Sequence, residues 1–319
     1  MKPIGGYFEL ELQKGRHSYH DTPHVLKSGR SSLHYIFTIT KPSLVYIPYY
    51  TCDGLLESFT ASGVNYRFYE INELLEPVSL PKLKKDELFL YINYFDCKRP
   101  YTIKLSEHYG EQLIVDATQA FFMKGNGKSW FFNSCRKFFG VPDGSYLYVP
   151  KGKKVDVVTG RNENYLTDHL IKRFNGHAND GYKPFVENEI LCGAEIVGIS
   201  KISEFLLSNI KYAKVATQRR LNYEYLHESF KQANLLSIKL HRNSVPMCYP
   251  LLVKKVPQRE FLYAQQLFVP TFWREVPGRV SNGFETEKSV AQHLLPLPID
   301  HRYGRKDMKT IINLIKQMP

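Results

Sequence analysis

Apolar positions in this chain follow two alternating rhythms. Short β-rich runs fall at 44–47, 66–69, 88–93, 113–116, 130–133 and 145–149. Between several of them lie amphipathic stretches such as Asp53–Ser62, where Leu55, Leu56 and Phe59 share one helical face. Strand alternating with helix predicts an α/β fold, a mostly parallel sheet between helices. Sheets of this kind bind ligands at the carboxyl ends of their strands. From 203 to 230 the pattern is that of one long helix. Leu206, Ile210, Ala213 and Leu221 follow its apolar spacing, and Lys211, Lys214, Arg219 and Arg220 fall mostly outside it. Shorter, proline-rich elements follow at 245–253, 268–273 and 294–298, with two helix-like segments among them and a last helix at 307–316. The expected organisation is a large domain over 1–212 and a smaller C-terminal α+β domain over 213–319. The polar stretch 161–188, which carries Gly176, Gly181 and Pro184, reads as a long loop.

Composition narrows the class. Hydrophobic residues make up 43% and charged residues 23%, enough apolar surface for a packed core. No stretch approaches the roughly 18 apolar residues that a membrane span requires. The N-terminus carries glutamates where a secretory signal would need its apolar segment, so the expected location is cytoplasmic, with no membrane partner. Cys52, Cys97, Cys135, Cys192 and Cys248 are scattered without a paired spacing, which suits reduced thiols rather than a disulfide frame or zinc site. Basic residues outnumber acidic ones 43 to 31, a net charge of +12 that either attracts a phosphorylated or nucleotide-linked substrate or reflects overall composition alone. Lacking a basic and aromatic module, the chain is not expected to bind nucleic acid. His17, His20 and His24 have no supporting ligands at metal spacing and read as an exposed polar segment. The run Lys124 to Ser129 ends like a phosphate-binding loop, but Phe122 stands where the first glycine belongs, so it reads as a tight turn. Trp273 and Tyr303 could line a substrate mouth, although aromatic residues belong more often to the core.

Three local features carry the chemistry. Ser28-Gly29-Arg30-Ser31-Ser32 opens an apolar helix, where free backbone N–H groups attract an anion; the plainer alternative is a serine that only caps the helix. Leu113-Ile114-Val115-Asp116 ends a buried strand on a carboxylate that needs a cationic partner, with Gln119 one turn on; the plainer alternative is a capping aspartate. Lys137 follows an aromatic strand and precedes Phe138 and Phe139, a setting expected to desolvate the amine and favour its neutral form; alternatively, its head reaches water.

Taken together, these features resemble fold-type-I pyridoxal-phosphate enzymes, specifically the DegT/DnrJ/EryC1/StrS sugar aminotransferases. The resemblance extends to Ile47-Pro48-Tyr49-Tyr50-Thr51-Cys52, Asn93-Tyr94-Phe95, Arg219-Arg220-Leu221-Asn222, Val269-Pro270-Thr271-Phe272-Trp273 and 297–303. It implies that Lys137 holds pyridoxal 5'-phosphate as a Schiff base and moves the proton. By the same likeness Asp116 pairs with the ring nitrogen and Gln119 contacts the ring oxygen. Arg30 and Ser31 present backbone amides to the phosphate, helped by Ser134, and Cys52 stands beside the ring. Family members often have an aromatic residue in place of Cys52, and stacking would here fall to Tyr50 or another residue. Phe132 replaces a serine that often precedes the lysine, and no segment matches the Asn-Tyr-Arg that usually enters the partner's site. The implied reaction is amino transfer from glutamate to a nucleotide-linked keto-sugar, in a homodimer, for polysaccharide or deoxyamino-sugar synthesis. Related sugar dehydratases carry histidine where Lys137 stands. A non-catalytic regulator on the same fold is the other alternative.

Overall fold

The computed structural model describes residues 4–279 and 281–319. Seven strands form one sheet, ordered β1-β7-β6-β5-β4-β2-β3. They are β1 (His24–Leu26), β2 (Leu44–Pro48), β3 (Asn65–Tyr69), β4 (Glu87–Ile92), β5 (Leu113–Ala117), β6 (Trp130–Asn133) and β7 (Ser145–Tyr148). Only β7 runs against the others. Every residue of β4, β5 and β6 is buried, as expected of parallel strands covered on both faces.

Three early helices are α1 (Gly29–Thr40), α2 (Asp53–Ser62) and α3 (Arg99–Tyr109). Helix α1 starts at Gly29 because the Ser28 hydroxyl accepts the Ser31 N–H. It also starts there because it must come close to the sheet. A Cβ on Gly29 would lie 3.0 Å from the Thr118 methyl and 3.3 Å from the Phe132 ring. The start of α1 is thereby pressed against the carboxyl ends of β5 and β6.

The stretch expected as a loop holds two helices, α4 (Asp168–Phe174) and α5 (Tyr182–Leu191). Each buries one residue, His169 and Asn188, so neither carries the apolar stripe by which a helix is recognised. The expected long helix is two: α6 (Lys201–Ser208) and α7 (Tyr212–Phe230). They part at Asn209, whose amide donates to the carbonyls of Gln13 and Phe205 and so fixes the N-terminal arm at the break. Segment 268–273 forms no strand. The remaining elements are β8 (Cys248–Leu252), α8 (Arg259–Ala264), α9 (Glu285–His293), β9 (Leu294–Pro298) and α10 (Arg305–Gln317). Antiparallel β8 and β9 form a second sheet, and their side chains join the apolar cluster of the large one.

The histidine segment is not exposed as expected. His17 is, but His20 and His24 are buried. His20 lies 2.9 Å from the Tyr148 hydroxyl through Nδ1 and 3.0 Å from the Asn133 amide through Nε2. Burial, reinforced by Lys124, lowers its pKa to about 3. The unfolded chain takes up a proton near pH 6.5 and the folded chain does not. Stability from His20 is therefore complete above about pH 6.5 and declines as the pH falls toward 3. Urea midpoints should drop between about pH 7 and pH 4, less steeply in His20→Gln. An unchanged slope in that variant would remove His20 from the account.

Candidate active site

All the candidate residues follow strands that run in one direction and emerge at the carboxyl edge of the sheet. Arg30 and Ser31 form the first turn of α1, after β1, and Cys52 precedes α2, after β2. Asp116 and Gln119 end β5, while Ser134 and Lys137 follow β6.

Asp116 is 5% exposed. One of its oxygens accepts the Thr118 N–H at 2.8 Å, so it ties down its own turn rather than capping a helix. Burial raises its carboxyl pKa, opposed by the Lys137 cation and the Thr118 bonds. Lys137 lies on a single 3-10 turn, Cys135–Lys137, and its Nζ donates to Thr118 Oγ1 at 3.2 Å. The expected desolvation is not found, because Lys137 is exposed. Phe138 and Phe139 turn instead into a second apolar cluster with Phe121 and Tyr212, leaving the amine exposed.

Gln119 is almost wholly buried. Its Oε1 accepts the Phe95 N–H at 3.0 Å, which sets the direction of the amide. Its Nε2 has no hydrogen-bond partner among the described residues. Phe95 can donate this way because it and Asp96 adopt left-handed backbone, φ 59° and 58°. Asp96 holds that turn through Arg99 at 2.9 Å and the Val245 N–H at 2.7 Å.

Cys52 is half-buried, and desolvation pushes its thiol pKa up against the field of Lys137. Tyr50, offered above as a stacking residue, is wholly buried. Its hydroxyl donates to the Phe272 carbonyl at 2.7 Å and its ring packs against Tyr94 and Trp273. Ser134 is half-buried and makes no side-chain cap to its turn. Ser31 is fully engaged: its N–H donates to Ser28 Oγ at 2.9 Å, and its hydroxyl donates to the Glu195 carbonyl.

Four neighbours were not assigned to the site from the sequence. Thr118 holds both Asp116 and Lys137. Arg136 and Glu189 pair at 2.6 Å beside the lysine turn, and Glu189 lies on α5, one residue past the stretch taken for a loop. Arg219, expected on the solvent side of its helix, is 2% exposed. It donates to the carbonyls of Pro246 at 3.3 Å and Met247 at 3.0 Å and lies over the Phe138 ring, 4.6 Å from its centre, bracing the lysine turn from behind.

Among the described residues no group of three His, Cys, Asp or Glu side chains is placed to hold a metal ion. A cavity of about 420 Å³ beneath the N-terminal arm is lined by residues such as Arg16, His20 and Tyr146, with no candidate residue in its wall. The chemistry the carboxyl edge can offer is an exposed amine, a buried carboxylate and an amide N–H group without a partner among the described residues.

No family model matches the sequence, and a search of curated proteins finds no match. Solved structures do match. The sugar aminotransferase CalS13 from Micromonospora echinospora is 13% identical at a TM-score of 0.61, over 92% of this chain and 86% of that one. A DegT DnrJ EryC1 StrS aminotransferase from Brucella abortus is 14% identical at 0.59, over 92% and 85%. DesV from S. venezuelae, in complex with a ketimine intermediate, is 15% identical at 0.61, over 92% and 84%. The chain thus has the fold-type-I architecture of the DegT/DnrJ/EryC1/StrS sugar aminotransferases.

Proposed function

We propose that this protein is a pyridoxal-phosphate aminotransferase that moves an amino group, with glutamate as donor, onto a nucleotide-linked keto-sugar. The observation that carries the reading is the meeting of Lys137, Asp116 and Gln119 at one edge of a sheet of this architecture. The residues fit the cofactor. Lys137 acts on buried Asp116 through its field without a salt bridge among the described residues, so the carboxylate suits a protonated ring nitrogen, and the Gln119 Nε2 without a partner suits a ring oxygen.

When bound, pyridoxal phosphate supplies a carbonyl that condenses with amines and a ring that delocalises negative charge. The residues supply the rest. Lys137 Nζ, steadied by Thr118 Oγ1, is the base that takes and returns the proton. Asp116 keeps the ring nitrogen protonated, and Gln119 Nε2 donates to the ring oxygen. The backbone amide of Arg30 and the Ser134 hydroxyl remain for the phosphate, whereas Ser31 must first release its present partners. Cys52 occupies the turn beside the ring.

The net charge of +12 supports a nucleotide-linked substrate, and amino-sugar or polysaccharide synthesis is the process such a product serves. We place the boundary between the two domains near residue 212, at the start of α7. A homodimer is supported by the apolar side chains that α4 and α5 leave exposed, Ile171, Phe174, Tyr182 and Ile190. A cytoplasmic location is supported by five unpaired thiols, and no helix among the described residues is long and apolar enough to cross a membrane.

Incubating the protein with pyridoxal phosphate, glutamate and a panel of nucleotide-linked keto-sugars should release 2-oxoglutarate with at least one of them. Failure with the whole panel, in protein that has bound the cofactor, would refute the reaction.

A further inference from the structure

Two arginines beside Lys137 share one carboxylate. Arg30 Nη2 lies 2.7 Å from Glu189 Oε1, and Arg136 Nη1 lies 2.6 Å from Glu189 Oε2. The arginine side chains are 13% and 11% exposed, whereas that of Glu189 is 47% exposed. The cations are therefore the fixed members and the carboxylate the replaceable one. Arg136 Nη2 is buried with no hydrogen-bond partner among the described residues, so the pair has donor capacity that Glu189 does not use.

The chain after Glu189 continues this contact. Ser28 Oγ donates to the Gly193 carbonyl at 3.0 Å and Ser31 to that of Glu195, while His34 Nδ1 lies 2.8 Å from the Ala194 carbonyl. Lys27 pairs with the Glu195 carboxylate at 2.7 Å. Residues 189–195 thus form a strap over the first turn of α1, with its acceptors on the groups an incoming anion would use. An open groove of about 590 Å³, bordered by Glu57, Ala194 and Glu195, runs alongside. Burial would raise the Glu189 pKa, but Arg136 and Arg30 outweigh it and hold the carboxyl below its usual range, so it stays an anion at neutral pH.

We propose that Arg30 and Arg136 form a binding site for a phosphate or carboxylate group of an incoming ligand, held by Glu189 until that group displaces it and lifts the strap. The inference rests on the function proposed above for the ligands it names, but not for the displacement itself. Both arginines present planar donor pairs suited to either oxyanion.

The test compares cofactor-free wild-type protein with Glu189→Gln by titration calorimetry. Inorganic phosphate should bind the variant about tenfold more tightly, because a competing negative charge has gone. Trypsin, cutting at exposed Lys172 or Arg173 of α4, should act faster on wild-type protein once phosphate is added. Pyridoxal phosphate tightened in parallel identifies the cofactor phosphate as the displacing group. Glutamate tightened instead, on cofactor-loaded protein, identifies the donor carboxylate. Arg136→Met should weaken whichever ligand responds, and the Glu189→Gln comparison stands if that variant does not fold. Equal affinities of wild type and Glu189→Gln for all three ligands would overturn the proposal. Tightened phosphate binding without any cofactor linkage to Lys137 would uphold the site and reject the proposed reaction.

Discussion

Lys137→Ala is expected to slow amino transfer by about a thousandfold or more while leaving the fold intact. Two contributions leave together, the amine that links to the cofactor and the base that moves the proton, and general base catalysis alone is worth roughly a hundredfold to ten-thousandfold. Folding should barely notice. The side chain is exposed and its one hydrogen bond runs to a threonine hydroxyl, so the cofactor-free variant should unfold within about 0.5 kcal/mol of wild type. Steady-state rates and urea unfolding, measured on the same preparations, check both halves. A variant that kept a tenth of the wild-type rate would contradict the assigned role, whatever its stability.

Asp116→Asn is expected to move activity and stability in opposite directions. On the function proposed above, the carboxylate of the loaded enzyme would face a cationic ring nitrogen in a buried setting. Removing one partner of such a pair costs about 2–4 kcal/mol, or roughly 30- to 1000-fold in kcat/KM. In the cofactor-free protein the same carboxylate is a liability. Burial raises its pKa above the unfolded value, so any stability it adds is present only below that unfolded value, near pH 4, and is lost as the pH rises through the folded one. At neutral pH the ionised group works against folding, and the neutral amide should relieve about 1 kcal/mol of that cost. Denaturant midpoints without cofactor and kcat/KM with it supply the two numbers. A fall in both would mean that Asp116 serves the fold rather than a cationic ligand.

The sheet was legible because its central strands are apolar on both faces, and runs such as Leu113 to Val115 have no other stable place. Asp116 stood out as a charge ending such a run, and Ser28 as a cap before an apolar helix. Helices α4 and α5 were hidden because their faces look outward, so no 3.6-residue apolar rhythm marks them. With them went Glu189, whose approach to Arg30 and Arg136 depends on how the chain returns after β7. Gln119 was found, but the reason its amide points as it does lies in the left-handed turn at Phe95, a tertiary feature with no glycine to announce it. Reading Phe138 and Phe139 as a cover for Lys137 failed for a related reason. Proximity in sequence does not fix direction, and here the rings turn inward, Phe138 against Arg219 and Phe139 against Phe121 and Tyr212. Arg219 itself, polar in the pattern and buried in the fold, satisfies carbonyls that a one-dimensional pattern does not show.

The proposed function turns on a covalent bond between pyridoxal phosphate and one particular lysine. Reducing the cofactor-loaded protein with borohydride and mapping the tagged peptide by mass spectrometry tests it directly. A single dominant pyridoxyl adduct, on Lys137, is the expected result. Adducts scattered over surface lysines, or dominant on any lysine but this one, would contradict it.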